Sequence, residues 1–271
     1  MRPNPIKARL AEGGTSYGTM ACEFFTPGLP QICRDAGAEF LLLDMEHAGT
    51  GVDVMKQQLA YCRGLDIVPL VRVPASDYHF IARLLDAGAM GIMVPMVETA
   101  EQAAHIVSST RYPPQGRRGA GFGIAGHDDY TGGDIGEKIA AAHERTLVIC
   151  QIETARGLEN LDAIAATPGV DIVWLGHFDL TNFLGIPAQF ENRRYQKAVD
   201  DIVAACERHK KTAGFMAADE AWAREYRDRG FRIIAYGVDV LLLKSSLTAG
   251  LEALREEKSP AQRKAGGKKA R

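Results

Sequence analysis

The sequence feature that most limits the fold is a regular alternation of short apolar runs with segments of helical spacing. Typical runs are Glu39–Asp44 (EFLLLD), Ile67–Val73 (IVPLVRV) and Leu147–Ile152 (LVICQI). Run and helical segment together repeat about every 25 to 30 residues, which is typical of stacked βα units. After a polar leader, the pattern gives about eight strands and about eight helices, which predicts an α/β protein with a (β/α)8 barrel. An open doubly wound sheet is the alternative, but no GxGxxG motif follows the first strand.

The length, composition and net charge of the chain exclude several classes of function. The chain has 271 residues, 46% hydrophobic and 24% charged, which is enough for one large core. A net charge of −2 gives no basic field for nucleic acid. No apolar run approaches the roughly 18 residues that cross a bilayer, and the start MRPNPIKARLAEGG lacks the apolar segment of a secretory leader. We therefore expect a cytoplasmic protein without nucleic-acid or membrane partners.

The domain prediction is simple. Residues 1–257 are expected to form a single catalytic domain, and residues 258–271 a disordered basic tail. The five cysteines are odd in number and form no CxxC pair, so reduced thiols are expected. Cys150 alternates with Gln151 and Glu153 along a strand, which points its thiol toward the helix layer.

Two carboxylates follow apolar runs in the stretch 147–179. Glu153 follows the run Leu147–Ile152, Asp179 follows Asp171–Leu175, and a helical segment separates the runs. Both strands of such a unit run the same way, so the two acids are expected at one edge of a parallel sheet. Either acid alone could cap the next helix. Together, with Gln151 on the same face as Glu153, they favour a divalent cation held by oxygen ligands.

Another polar group is expected at the ends of the second and third strands. Arg72 could be an ion-pair partner of Asp44 or Glu46, or it could polarise a carbonyl oxygen and stabilise an enolate. His47 alone would be a surface histidine, but beside these groups it is the expected general base.

The loop-rich segment 111–136 is expected to be functional, because long loops in compact domains usually are. On this interpretation His127 and His177 lie in loops of the active face.

These strand-end motifs together resemble the class II pyruvate aldolases of the HpcH/HpaI (4-hydroxy-2-oxoheptanedioate aldolase) family. The resemblance runs from about Tyr17 to Leu251. Its motifs are Leu43–His47 (LDMEH), Val71–Arg72, Val94–Val97 (VPMV), Arg111–Gly119 (RYPPQGRRG), Gln151–Thr154 (QIET) and Gly176–Leu180 (GHFDL).

The resemblance implies a barrel of the phosphoenolpyruvate/pyruvate type and a role for each matching residue. Glu153 and Asp179 match the two ligands of a divalent metal ion, which could be Mg²⁺, Mn²⁺ or Co²⁺. Arg72 matches the arginine at the keto oxygen of pyruvate. His47 matches the base, and Asp86 matches the acid paired with it.

Further residues match by position. Gln151 matches a residue near metal and substrate, and Gly176, with His177 and Phe178, matches the turn that receives the pyruvate carboxylate. The remaining expected supporting residues are Asp44, Glu46 and Arg118.

The activity implied is the reversible cleavage of 4-hydroxy-2-oxo acids to pyruvate and an aldehyde through the pyruvate enolate. No lysine lies among the strand-end residues, which disfavours a Schiff-base aldolase. The alternatives are a CoA-thioester lyase or an oxaloacetate decarboxylase of the same superfamily, and, from another class, a noncatalytic metabolite-binding barrel.

One motif departs from the family pattern. Where the family commonly has Gly-Pro-Ala-Asp, this chain has Gly176–Asp179 with the sequence GHFD. Phe122, Trp174 and Phe183 could adapt the site to an aromatic aldehyde, or they could belong to the core or a subunit contact.

The last predicted helix, Val238–Glu257, is apolar on more than one face. Burial in its own barrel explains one face, and the other indicates a partner subunit. The resemblance implies that this helix is exchanged between neighbours in a hexamer, a trimer of dimers.

Overall fold

The computed structural model describes residues 1–256, so the tail predicted for residues 258–271 lies outside the described part. The strands are β1 (Ser16–Ala21), β2 (Phe40–Asp44), β3 (Val68–Arg72), β4 (Gly91–Val94), β5 (Leu147–Ile152), β6 (Ile172–Leu175), β7 (Thr212–Ala217) and β8 (Ile233–Val238). The helices are α1 (Pro5–Ala11), α2 (Leu29–Asp35), α3 (Val52–Tyr61), α4 (Tyr78–Ala87), α5 (Ala100–Thr110), α6 (Ile135–Arg145), α7 (Ala155–Glu159), α8 (Leu161–Ala166), α9 (His177–Phe183), α10 (Arg193–His209), α11 (Glu220–Arg229) and α12 (Asp239–Glu256).

The strands form a closed parallel barrel in which each strand pairs with its neighbour in sequence and β8 pairs with β1. This confirms the predicted (β/α)8 fold. The register places Asp44 beside Arg72 and Gln151 beside Trp174. Side chains that are far apart in the sequence therefore meet at the carboxyl end of the barrel.

Alternation along the strands divides the core into two layers. Phe40, Leu42, Leu70 and Ile149 fill the barrel interior, and Cys150 packs between strands and helices as predicted. All five cysteines are free.

The polar leader contains a helix that the sequence pattern did not predict. In α1 the side chain of Asn4 accepts hydrogen bonds from the N–H groups of Ile6 and Lys7 and so caps the helix. Ile6 and Leu10 pack into the interior cluster at the amino end of the barrel. Only two of the seven residues are large and apolar, which is too few for a periodic signal.

The segment between α5 and α6 lies at the amino end of the strands. Helix α5 starts after the carboxyl end of β4 and runs antiparallel to the strands. Residues 111–134, which follow α5, therefore lie at the amino end of the barrel, where β5 begins. The expectation that His127 lies on the active face is therefore wrong within one chain. In the described residues no helix is both long and apolar enough to cross a membrane.

Candidate active site

A cavity of about 190 Å³ opens at the carboxyl end of the barrel. Its polar lining includes Arg72, Gln151, Glu153 and Asp179, so the predicted metal and substrate residues lie together. His47 and His177 line it as well, and most of the remaining lining is apolar, namely Met20, Leu42, Met93, Trp174, Leu175, Phe178, Met216 and Val238. A small polar ligand on an apolar base fits this composition.

Arg72, the last residue of β3, is held by two acids at the end of β2. Its Nε donates to Asp44 Oδ1 at 2.6 Å, and its Nη1 lies 3.1 Å from Glu46 Oε2. Asp44 also accepts from the backbone N–H groups of Glu46 and His47 at 3.0 and 3.1 Å. Burial alone would raise the pKa of Asp44, but Arg72 and these N–H groups together hold the pKa below its ordinary value.

Both roles considered for Arg72 are therefore compatible with the geometry. The Asp44 and Glu46 contacts use Nε and Nη1, and within residues 1–256 no group accepts a hydrogen bond from Nη2. Arg72 lines the cavity. A rigidly held guanidinium thus has a donor left for a ligand oxygen.

Glu153 is 1% exposed, and one backbone group and one side chain hold its carboxylate by hydrogen bonds. Its Oε1 accepts from the backbone N–H of Met96 at 2.7 Å, and its Oε2 accepts from Gln151 Nε2. Met96 has a φ of 55°, in the left-handed region. A Cβ at Gly176 would lie 2.6 Å from Glu153 Cβ, so only glycine leaves room for this carboxylate.

Within residues 1–256 no cationic side chain forms a salt bridge with Glu153. Burial raises the pKa of Glu153 to about 7, the two hydrogen bonds oppose this rise, and the neighbouring acids Glu46 and Asp179 add to it. The buried Gln151 Oε1 has no partner in the described chain. The pocket therefore presents carboxylate and amide oxygens that could bind a cation.

These donors fit a divalent ion that keeps some of its water. No group of three or more His, Cys, Asp or Glu side chains in residues 1–256 has metal-binding geometry. Glu153 and Asp179 supply two carboxylates, and Mg²⁺ in particular is usually bound by one or two carboxylates together with water and substrate oxygens.

Helix α9 carries Asp179 in its first turn, four residues beyond the end of β6. Its N-cap is Gly176, and among residues 1–256 no side chain caps its first N–H groups. His177 packs its ring against Phe178, Phe215 and Trp222 at centroid distances of 4.5, 5.1 and 5.5 Å. In the GHFD motif, which differs from the common family sequence, the imidazole of His177 therefore anchors the turn to the core.

Burial lowers the pKa of His177 to about 4, so its ring is neutral at neutral pH. Its Nε2 has no partner in the described residues.

The structure does not bring His47 and Asp86 together within one chain. His47 is exposed at the carboxyl end, with its Nε2 3.9 Å from Glu46 Oε2. Asp86 lies near the end of α4, close to the amino end of the strands, and pairs with Arg118 at 2.6 Å. Arg118 is buried there.

The aromatic residues considered for the site separate in the same way. Trp174 is 3% exposed and forms part of the cavity base, whereas Phe183 is 52% exposed. Phe122 packs against Tyr112 and His127 at the amino end. Within one chain Phe122 and Trp174 therefore lie at opposite ends of the barrel, so the expectation of a shared aromatic site is wrong for Phe122.

Two contributors to the site escaped the sequence analysis. One is the backbone N–H of Met96, because a left-handed methionine leaves no compositional trace. The other is Cys22, whose Sγ lies 3.6 Å from Asp44 Oδ2. Burial and the Asp44 charge raise the pKa of this thiol to about 12, which makes it an uncharged neighbour.

Comparison with known proteins agrees with this geometry. The model of the HpcH/HpaI aldolase/citrate lyase family matches residues 23–246. The chain is 40% identical to the hydroxypyruvate/pyruvate aldolase of Chromohalobacter salexigens, over 90% of this chain and 94% of that one. It is 36% identical to the 5-keto-4-deoxy-D-glucarate aldolase of Klebsiella pneumoniae, over 94% of this chain and 98% of the relative.

The fold of the chain also matches a solved crystal structure. The crystal structure of an HpcH/HpaI aldolase from Desulfitobacterium hafniense superposes with a TM-score of 0.88 at 30% identity, covering 93% of this chain and 97% of that one. Aldolases of this family are class II enzymes, which generally depend on a divalent metal ion. The chain thus belongs to the HpcH/HpaI aldolase/citrate lyase family and is an aldolase, a lyase of carbon–carbon bonds.

Proposed function

We propose that this aldolase cleaves 4-hydroxy-2-oxo acids reversibly to pyruvate and an aldehyde through the enolate of pyruvate. The observation that carries the proposal is the buried Glu153 carboxylate, with its raised pKa, in one cavity with Asp179 and Arg72. The relatives named for hydroxypyruvate and pyruvate support a small 2-oxo acid as substrate.

Glu153 and Asp179 would hold the metal ion, which we propose to be Mg²⁺, Mn²⁺ or Co²⁺. When bound, such an ion withdraws charge from the keto and carboxylate oxygens of the substrate. Gln151 fixes one oxygen of Glu153 and has its own Oε1 left toward the site.

Arg72 would donate from Nη2 to the keto oxygen, where negative charge develops. Asp44 and Glu46 fix its position, so little reorganisation is needed as the enolate forms. The uncapped N–H groups of α9 that follow Gly176 would receive the substrate carboxylate.

The cleavage step balances as a retro-aldol reaction. His47 accepts the proton of the 4-hydroxyl, the C3–C4 bond breaks, and its electron pair becomes the C2–C3 double bond of the enolate. Protonation at C3 then gives pyruvate, while the former C4 leaves as the aldehyde. Asp86 could assist His47 only from a neighbouring copy, because within one chain it lies at the opposite end of the barrel.

Pyruvate release from a panel of 4-hydroxy-2-oxo acids is expected to require a divalent ion. A coupled assay should lose activity on treatment with a chelator and regain it on addition of Mg²⁺, Mn²⁺ or Co²⁺. If every active substrate were turned over at an unchanged rate in the presence of the chelator, the proposed metal dependence would be wrong. The same assay with oxaloacetate and CoA thioesters would show whether the decarboxylase or thioester-lyase alternative is preferred.

Replacing His47 by alanine is expected to lower kcat by about 10²-fold or more, because general base catalysis contributes on that order. The dependence of the rate on pH should change with it, since the group that accepts the 4-hydroxyl proton is gone. His209→Ala, at the end of α10, is the matched control and should leave both unchanged. A wild-type pH–rate profile in His47→Ala would rule out this role.

We also propose a homo-oligomer, a hexamer, in which α12 packs on a neighbouring copy. On this helix Leu243, Leu247 and Leu254 are 56%, 57% and 69% exposed. Light scattering should give a mass several times that of one chain. Leu243→Glu with Leu247→Glu should dissociate the assembly, and Lys244→Glu, on the same helix, should not. A monomeric wild-type protein would contradict the proposal.

We propose the cytoplasm as the compartment, since five free thiols suit a reducing environment.

A further inference from the structure

Four basic side chains converge on a second cavity, at the amino end of the barrel. This cavity has a volume of about 50 Å³, and its lining includes Arg2, Arg63, His127 and Arg145. Met90, the residue before β4, lines it too, which fixes its place at the end opposite the candidate active site. These four side chains are called the basic cluster below.

Arg145 is buried without a counter-charge. It is 7% exposed, and within residues 1–256 no carboxylate lies within 4.0 Å of its guanidinium nitrogens. Burial and the nearby cations Arg118 and Arg2 lower the pKa of Arg145 to about 10, so the group still carries its charge at neutral pH. A buried charge that lacks a partner is strongly unfavourable, so an anion in contact with it would be held firmly.

The rest of the lining does not neutralise the cluster. Asp129 is the one acidic residue of the cavity lining, and its carboxylate lies 3.5 Å from Arg63 Nε. Arg2 donates to the carbonyl oxygens of Leu65 and Cys62, which carry no full charge. Three arginines against one aspartate leave two positive charges uncompensated.

The cavity also has a polar atom with no partner and a position that admits no side chain. The buried Nδ1 of His127 has no hydrogen-bond partner in the described chain, whereas its Nε2 lies 3.4 Å from the Tyr112 hydroxyl. A Cβ at Gly126 would lie 2.5 Å from Arg63 Nη2. The free volume exceeds the roughly 10 to 15 Å³ needed for one water, so a small anion fits.

We propose that the basic cluster binds a small oxyanion, a carboxylate, sulfate or phosphate group, at a site separate from the catalytic one. The planar guanidinium groups of Arg145 and Arg63 match the oxygens of such a group, and Nδ1–H of His127 donates a third hydrogen bond. The anion supplies the counter-charge that Arg145 lacks within residues 1–256.

The test is calorimetric titration of the metal-loaded protein with sulfate, phosphate and acetate in separate experiments. A bulky sulfonate buffer, too large for the cavity, keeps the ionic strength constant. At least one of the three anions should bind saturably and raise Tm. Preference for sulfate and phosphate would assign a tetrahedral group, and preference for acetate a carboxylate.

Arg145→Met is expected to weaken this binding at least about tenfold, because a charge-assisted contact is lost. It should also raise Tm in anion-free buffer, because a buried uncompensated charge is removed. Arg193→Met, an exposed arginine of α10, makes the same charge change and should leave affinity and Tm as in the wild type. Should Arg145→Met not fold, Arg63→Met tests the same cavity.

Absence of saturable binding of all three anions, or equal affinity in the Arg145 or Arg63 variant, would overturn the proposal. A carboxylate of a neighbouring copy paired with Arg145 would produce the first of these results. The readout is binding rather than turnover, so it is independent of whether the proposed aldol cleavage is correct.

Discussion

Glu153→Gln is expected to abolish metal-dependent cleavage and, at the same time, to stabilise the metal-free protein at pH 8. The amide keeps the shape of the side chain but removes a charge whose burial raises the pKa from 4.5 to about 7. At about 1.4 kcal/mol per pKa unit, the metal-free enzyme would gain up to about 3 kcal/mol.

The stability difference between Glu153→Gln and the wild type depends on pH because the pKa of Glu153 is raised in the folded state. A carboxyl group with a raised pKa destabilises the folded state while it is ionised, so the penalty is complete above pH 7. The penalty shrinks as the pH falls through 7 and vanishes near 4.5. The stability advantage of Glu153→Gln over the wild type should therefore be largest at pH 8 and disappear toward pH 5.

Denaturant unfolding with and without Mn²⁺ measures both effects. Added Mn²⁺ should stabilise the wild type, because it binds the folded state, and should stabilise Glu153→Gln much less. Glu207→Gln, exposed on α10, is the control for the loss of one charge. Chelator-sensitive turnover retained in Glu153→Gln would show that the metal is held elsewhere.

The fold was predictable because the alternation of apolar runs with helical segments repeats along the chain. Each apolar run must be buried on both faces by a helix on one side and the barrel interior on the other, and eight repetitions outweigh errors at any single boundary. The end of each strand is fixed by the same pattern. This is why the sequence predicts Arg72, Glu153 and Asp179 at one opening of the barrel.

What could not be predicted depends on contacts between distant segments. The placement of His127 at the amino end follows from the direction of α5, which the loop composition conceals. The ion pair of Asp86 with Arg118 joins residues 32 positions apart. His177 is held by Phe215 and Trp222, whose rings come from β7 and α11. Such contacts arise from packing geometry, which residue types alone do not specify.

Arg72→Met is expected to lower kcat by about 10²- to 10³-fold, the usual effect of removing a donor to a developing oxyanion. It should also destabilise the protein by about 3 to 5 kcal/mol, because Asp44 is fully buried and would lose its partner. The double variant Asp44→Asn with Arg72→Met removes both charges and should recover much of this stability. If Arg72 acts only as a structural partner, the double variant recovers activity along with stability. If its Nη2 stabilises the enolate, stability returns and pyruvate release stays low, which is the result the free donor in the cavity leads us to expect.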